Sequence, residues 1–294
     1  MGSDWERYHA RCKHIMMSAE AKTKPVVIMR TVNTALSEEL VETFKDSTVV
    51  GFGIHGVDLG RSGEISLLQL TEGETGRVFL LDVAGLKLGD EENELLAWVK
   101  KILESESILK VMHDCRMGSD ALFHELGMEL RNVHDVACWH SLLRGESEYA
   151  PIKTVCSEHG LVADPGPAGR DYLLNHKLWA KRPLTGKLAA WGAKDAGNVL
   201  AVYRLQLAEA SEEQATLARA QVVLCLDVLR GAQMGTVCVG GRKLGGFIGR
   251  GGSGIRALQK SSNTRIYPRG VRSEGTFYVY FRDAAGFEAV KRSI

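Results

Sequence analysis

A glycine-rich run near the C-terminal end restricts the fold of this chain more than any other feature of its sequence. The run reads IGRGGSGI at residues 248–255 and contains one cation, Arg250. Glycines at positions 249 and 252 let the backbone turn tightly without projecting side chains, so a sugar-phosphate backbone can lie against bare N–H groups. Ile248 before the loop and Ile255 after it have the spacing of an apolar helical face. We therefore predict two helices joined by a loop that contacts nucleic acid.

Short β-prone runs surround this loop, at residues 237–239, 264–267 and 277–281. The order of strand, helix, GxxG loop, helix, strand, strand and helix resembles a KH type I domain whose last helix breaks off at Ile294. KH domains grip about four nucleotides of single-stranded RNA or DNA. The resemblance implies a small α+β domain over 236–294, in which the arginines neutralise phosphate, the glycines permit close approach and the isoleucines lie beneath the bases. The implied RNA-binding residues are Ile248, Gly249, Arg250, Gly251, Gly252, Ile255 and Arg256.

Charge is distributed unevenly along the chain. Residues 236–294 contain eleven Lys and Arg against three Asp and Glu, whereas the rest of the chain contains 26 against 33. The C-terminal part therefore has a surplus of eight positive charges, and the remainder has a deficit of seven. A basic unit attached to a mildly acidic body is typical of a phosphate-binding appendage.

The six cysteines are scattered and form no CxxC pair, which argues against a zinc site or a disulfide framework and favours a reducing compartment. No run approaches the roughly eighteen apolar residues of a membrane span, so we expect no membrane partner. Residues 1–24 are polar and form a predicted N-terminal extension. Their scattered basic residues leave a mitochondrial presequence open, although Asp4 and Glu6 disfavour it. We expect a cytoplasmic protein, with mitochondrial and nuclear locations as alternatives.

From residue 25 onward, strand-like and helix-like segments alternate. Strands are predicted at 26–29, 49–54, 64–70, 78–83 and 108–112. The second, third and fourth of these are separated by glycine turns and predict an antiparallel meander. Helices are predicted at 90–105, 119–126, 153–159, 172–178 and 188–210. This order predicts an α/β domain; the family resemblance described in the next paragraph implies that it spans 25–210 and is a mixed sheet flanked by helices. A further helix at 212–229 is interpreted as a linker, with boundaries at 211–235.

Three motifs in the body resemble those of the DEDD 3′–5′ exonucleases, the group that includes ribonuclease D and the Werner nuclease. They are VGFGIHGVDLGRSGEISLLQL at 50–70, VMHDCR at 111–116, and LWAKRPL at 178–184 followed by WGAKD at 191–195. These runs are typical of the Egalitarian-like and piRNA-pathway branch. The resemblance implies a ribonuclease H-like exonuclease fold and a function that involves RNA.

Active members of that group hold two divalent metals with four carboxylates. When the motifs are superimposed, the first-motif Asp falls on Gly53 and the Glu on His55, and the second-motif Asp falls on Gly118. The third-motif Tyr falls on Trp191, and only Asp195 keeps its carboxylate. One carboxylate cannot neutralise two Mg²⁺ ions. We therefore predict no bound metal, no cofactor and no catalysis by the family mechanism.

Two catalytic alternatives stay open at this point. A single-metal site for a softer cation such as Mn²⁺ or Zn²⁺ would give a residual 3′–5′ exoribonuclease. Its ligands would be His55, Asp195 and a shifted Asp114 or Asp120. His-Asp dipeptides at 113–114 and 134–135 resemble those of HD phosphohydrolases. That chemistry needs the pairs on helices, whereas the first dipeptide ends a predicted strand.

The leading hypothesis is a pseudo-exonuclease that acts as a non-catalytic RNA-binding adaptor or scaffold subunit of a ribonucleoprotein complex. Its expected partners are single-stranded RNA and other proteins of that complex. Relatives of this branch act as adaptors that dimerise or recruit partners, so the resemblance implies a component of a ribonucleoprotein complex, with a homodimer as one form of assembly. A purely structural subunit of a large RNA–protein assembly is the third hypothesis.

Overall fold

A computed structural model describes residues 26–29, 34–85, 90–161, 177–269 and 275–294. The predicted N-terminal extension, 1–24, and most of the predicted helix at 172–178 lie outside these residues. A six-stranded mixed sheet forms the body, in the order β1-β4-β3-β2-β5-β6. Its strands are β1 (Val26–Met29), β2 (Val49–Val57), β3 (Glu64–Glu72), β4 (Val78–Leu81), β5 (Leu109–Met112) and β6 (Val133–Asp135). Strands β2, β3 and β4 pair antiparallel, whereas β1, β5 and β6 each join by parallel pairing.

Helices cover both faces of this sheet. They are α1 (Thr34–Phe44), α2 (Asp90–Glu104), α3 (Cys115–Leu126), α4 (Val136–Arg144), α5 (Ile152–Glu158), α6 (Gly186–Glu209) and α7 (Glu212–Val228). Because side chains alternate along a strand, Leu68 and Leu70 of β3 join the main core with α2, whereas Leu67 packs with the start of α6. This arrangement confirms the predicted α/β fold with a mixed sheet and flanking helices.

The body strands agree with the sequence-based boundaries within three residues, and the antiparallel meander is confirmed. Helix α3 begins at Cys115, four residues before its predicted start. The reason is a distant carboxylate: Asp135 accepts hydrogen bonds from the backbone N–H groups of Asp114 and Cys115, at 2.9 and 2.8 Å. Asp135 also accepts the N–H of Ala137 and so begins α4 as well. Sequence periodicity missed α1, β6 and α4.

The C-terminal part forms a separate three-stranded antiparallel sheet in the order β7-β9-β8. Its elements are β7 (Gln233–Cys238), α8 (Gly241–Ile248), a 3₁₀ turn (Arg250–Gly252), α9 (Ser253–Ser262), β8 (Arg265–Pro268), β9 (Thr276–Phe281) and α10 (Ala284–Arg292). Val237, Phe277 and Val279 face the helices and form a small core with them. We call residues 233–294 the C-terminal module.

Helix α7 is part of the body rather than a free linker. Ala215, Ala218, Val222 and Cys225 lie buried in the main core, and α7 packs against α3 and α4. The predicted linker at 211–235 is therefore corrected: its helix is anchored by apolar packing, and its last residues already belong to β7. As a result, the module is held directly against the body.

The other face of the module sheet packs on the body. Tyr278, Tyr280 and Met234 form a cluster with Met117 of α3 and with Leu229, which follows α7. Two polar groups lie at this junction, the half-buried Arg61 from the turn after β2 and the fully buried Asp120 from α3. We call Arg61, Asp120 and Tyr280 the junction cluster.

Candidate functional site

The first-motif positions lie on β2 and face α6. Gly53 pairs with Gln69 across β2 and β3, and His55 pairs with Leu67. All four residues therefore share one face of the sheet. The side chain of Gln69 occupies the space beside Gly53, because a Cβ atom on residue 53 would overlap the Gln69 amide oxygen. A carboxylate at position 53 cannot be added without moving this glutamine.

His55 packs as an aromatic ring. Its imidazole stacks on the Trp179 indole, with ring centroids 3.8 Å apart and planes 8° from parallel. Burial lowers the pKa of His55 to about 4. The ring is therefore uncharged at neutral pH, and it stands where the resemblance places a glutamate.

The second-motif position, Gly118, lies on α3 against an apolar wall. A Cβ atom there would lie 3.0 Å from the Ile54 Cγ2 atom and 3.4 Å from the Met112 methyl group. The neighbouring carboxylates do not replace the missing aspartate, because each has a cationic partner. Asp114 accepts hydrogen bonds from Arg116 Nε and Nη2 at 2.7 and 2.8 Å, and Asp120 accepts one from Arg61 Nη2 at 2.7 Å.

Arg116 also fixes the charge of Asp114. Burial acts to raise the pKa of Asp114, but the hydrogen bonds and charge of Arg116 hold it below its usual value. Asp120 is fully buried and bridges the body to the module. Both carboxylates therefore have structural roles, which argues against the shifted single-metal site.

The third-motif residues lie on α6. Trp191 is half-buried, and the Lys187 ammonium lies 4.8 Å from the centre of its ring. Asp195 lies on the same helix, but its side chain is outside the described part of the structure. Within that described part, no group of three or more His, Cys, Asp or Glu side chains could hold a metal ion. The described residues of the former site therefore do not provide the carboxylates that hold two metal ions in active members of the family.

The two His-Asp dipeptides form no shared site. His113 Nε2 lies 2.8 Å from the Ala150 carbonyl oxygen, whereas His134 Nε2 lies 2.9 Å from Gln206 Oε1. Asp135 accepts backbone N–H groups at the starts of two helices. The HD phosphohydrolase alternative is not supported, because each of these groups already serves the packing of the body.

The glycine-rich loop has the geometry expected for a close backbone approach. Gly249 and Gly251 have positive φ angles of 71° and 59°. A Cβ atom on Gly249 would overlap the Gly254 backbone nitrogen, whereas the space around Gly251 is open to 4 Å. Arg250 is exposed beside them. The loop thus presents bare backbone and one cation to solvent.

Helices on both sides support this loop. Ile248 and Ile255 are partly buried and pack against the module core. Arg256 Nη1 donates a hydrogen bond to the Gly251 carbonyl at 2.7 Å, which ties the loop to α9. Residues 241–262 contain no Asp or Glu. Their exposed cations are Arg242, Lys243, Arg250, Arg256 and Lys260. The structure therefore brings all the predicted RNA-binding residues together on one basic loop-and-helix surface.

Comparison with known proteins identifies the body. A family model described as 3′–5′ exonuclease matches residues 29–205. The chain belongs to the 3′–5′ exonuclease family. The predicted resemblance to ribonuclease D and to the Egalitarian-like branch is confirmed at the level of this domain.

Two curated relatives illustrate the branch. The chain is 35% identical over 152 residues to the Egalitarian protein homolog of Caenorhabditis elegans, a match that covers 48% of this chain and 25% of that protein. It is 37% identical over 91 residues to the piRNA biogenesis protein EXD1 of Mus musculus, which covers 31% of this chain and 15% of that protein. The chain thus matches a quarter or less of the length of these relatives.

Solved structures show the same fold. Trypanosoma brucei RNase D aligns with a TM-score of 0.59 at 18% identity and covers 71% of this chain and 73% of that chain. Escherichia coli RNase D aligns with a TM-score of 0.55 at 15% identity, and the alignment covers 83% of this chain and 56% of that chain. Within the described residues, no helix is both long and apolar enough to cross a membrane.

Proposed function

We propose that this protein is a non-catalytic RNA-binding adaptor or scaffold, and that the C-terminal module is a KH type I domain which grips single-stranded RNA. The observation that carries the proposal is the exposed GRGG loop between α8 and α9, on a βααββα module with sheet order β7-β9-β8. The order of these elements along the chain supports the resemblance to a KH type I domain. KH loops of this type clamp about four nucleotides by their backbone.

The exonuclease body supports a binding role rather than a cleaving one. Phosphodiester hydrolysis in this family needs carboxylates that bridge two metals. Gly53, His55 and Gly118 supply none, and Asp114 is held by Arg116. We therefore propose a body over residues 25–228 and an RNA-binding domain from residue 233. The partners we propose are single-stranded RNA and proteins of a ribonucleoprotein complex, in a reducing compartment such as the cytoplasm, with a homodimer as one form of assembly.

Titration of a labelled short single-stranded RNA at fixed salt tests this function. The double variant Arg250→Asp/Gly251→Asp adds negative charge where phosphate would lie, and the open space at Gly251 accepts the new side chain. We expect at least a tenfold loss of affinity, because charge-assisted phosphate contacts dominate such binding. Lys101→Asp/Ser107→Asp, at two exposed positions of the body, makes the same change in net charge and serves as the matched control. Equal affinity in both variants would refute the proposal.

The second candidate is a residual metal-dependent 3′–5′ exoribonuclease, which the retained Asp195 favours. The labelled strand is incubated with the protein and Mg²⁺ or Mn²⁺. Stepwise shortening that disappears in Asp195→Ala would establish this activity and remove the non-catalytic proposal. An intact strand with either metal supports a binding protein.

A further inference from the structure

A loop of the body reaches the basic surface of the C-terminal module. We call residues 145–150, which join α4 to α5 and read GESEYA, the acidic loop. Its two acids, Glu146 and Glu148, are exposed. Glu148 Oε1 lies 3.9 Å from the Nε atom of Arg256, near the start of α9. The body therefore adds a negative charge to a surface whose own segment, 241–262, contains no Asp or Glu.

The acidic loop is held in place at both ends. At its start, the backbone N–H of Glu146 donates a hydrogen bond to the Ser141 carbonyl at 2.7 Å. At its end, the Arg116 guanidinium lies 4.4 Å from the centre of the Tyr149 ring. The Tyr149 hydroxyl lies 2.8 Å from the Cys225 sulfur atom. Because the backbone is fixed on both sides, the acid between these anchors loses only side-chain entropy when it pairs with the module.

Arg256 is shared between the acidic loop and the glycine-rich loop. Its Nη1 atom donates to the Gly251 carbonyl at 2.7 Å, while its Nε atom faces Glu148. Both charged side chains are accessible to solvent, with Arg256 43% and Glu148 67% exposed. Carboxylate and phosphate oxygens bind a guanidinium through the same kind of charge-assisted hydrogen bond. A phosphate that approaches this loop therefore meets a cation that already has a carboxylate partner.

We propose that Glu148 makes an autoinhibitory contact, in which the body competes with RNA phosphate for Arg256 and limits the affinity of the module. This inference concerns regulation of the proposed RNA site and rests on the proposed function for the RNA itself. Exposed ion pairs are weak, so RNA displaces Glu148 rather than being excluded by it. The body thus sets the strength of binding and does not block it.

Titration of a labelled short single-stranded RNA into the full chain at fixed low salt tests the contact. Glu148→Gln keeps the size of the side chain and removes its charge. We expect about two- to fivefold tighter binding, the factor that corresponds to an exposed ion pair. Glu146→Gln removes the same charge two residues away, without the contact to Arg256, and should tighten binding less. Unchanged affinity in Glu148→Gln, or equal tightening in both glutamine variants, would overturn the proposal.

A double-mutant cycle shows whether the acid acts through Arg256. Arg256→Gln should weaken RNA binding, and adding Glu148→Gln to it should produce no further gain. A gain of the same size in that background would overturn the proposal, because the acid would then act without its partner. RNA affinity unchanged by Arg250→Asp/Gly251→Asp would refute the function of the glycine-rich loop. An affinity that depends on that loop but does not rise in Glu148→Gln would refute only the autoinhibitory contact.

Discussion

Removal of the Asp120 carboxylate should weaken the junction between the C-terminal module and the body and lower the free energy of unfolding. Asp120 is fully buried and accepts hydrogen bonds from Arg61 Nη2 at 2.7 Å, from the Arg61 backbone N–H at 2.8 Å and from the Tyr280 hydroxyl at 3.2 Å. The Arg61 guanidinium is only 16% exposed and also donates to the carbonyls of Leu229 and Ala232. One carboxylate thus joins the turn after β2, helix α3 and strand β9.

The cost of Asp120→Ala follows from this geometry. Removing one partner of a buried ion pair typically costs about 3–5 kcal/mol, because the remaining charge is left buried. Arg61 keeps two carbonyl acceptors and some access to water, so we expect the lower end, about 3 kcal/mol. Tyr280→Phe loses only one hydrogen bond to a carboxylate and should cost about 1.5 kcal/mol.

Urea unfolding followed by tryptophan fluorescence and circular dichroism measures these changes. Glu288→Ala is the control, because it removes the partner of Lys291 in an exposed pair on α10. We expect this control to leave the free energy of unfolding nearly unchanged. A loss below about 1 kcal/mol in Asp120→Ala, the value of a surface pair, would refute the structural role of the junction cluster.

Burial also lowers the pKa of His134 to about 3, from 6.5. Between pH 6.5 and about pH 3 the unfolded chain therefore protonates His134 while the folded chain does not. The free energy of unfolding should fall by about 1.4 kcal/mol for each pH unit by which the pH drops across this range. His134→Gln should remove that part of the slope in urea titrations at several pH values. Gly249→Ala should lower the melting temperature more than Gly251→Ala, because both glycines have positive φ but only the first is crowded by backbone. Gly53→Asp should destabilise the body by overlap with Gln69, and Gly53→Asp/Gln69→Ala should recover most of the loss in the same thermal assay.

For each of these three predictions, one outcome would contradict it. An unchanged pH slope in His134→Gln would mean that the imidazole titrates alike in the folded and unfolded chains. Equal melting temperatures for the two alanine variants would mean that the loop is free to relax around Gly249. A fully stable Gly53→Asp would mean that Gln69 moves aside at little cost, so that position 53 can still accept a metal ligand.

The sequence predicted the elements that depend on local pattern. The meander of β2, β3 and β4 follows from alternating apolar residues between glycine turns, and α6 follows from helical periodicity. The module elements were predicted for the same reason, because the loop glycines, the flanking isoleucines and the aromatic run of β9 are all close in sequence. The degenerate positions Gly53, His55 and Gly118 were predicted through the resemblance alone.

Features that depend on distant contacts were not predicted. Arg61 and Asp120 are 59 positions apart, and neither residue type signals its partner. The helix at 212–229 is predicted as a linker, whereas Ala215 and Ala218 allow it to pack closely on the body. Gln69 looked like an ordinary strand residue within LLQL. Its significance appears only when β2 brings a glycine opposite it.

We propose that this member of the exonuclease family holds RNA and does not cut it. The most direct measurement follows binding and integrity of one labelled single strand in the same sample, with Mn²⁺ present, for the natural protein and for Arg250→Asp/Gly251→Asp. We expect a bound, full-length strand with the natural protein and an unbound, full-length strand with the variant. Progressive shortening from the 3′ end by the natural protein, or undiminished binding by the variant, would contradict it.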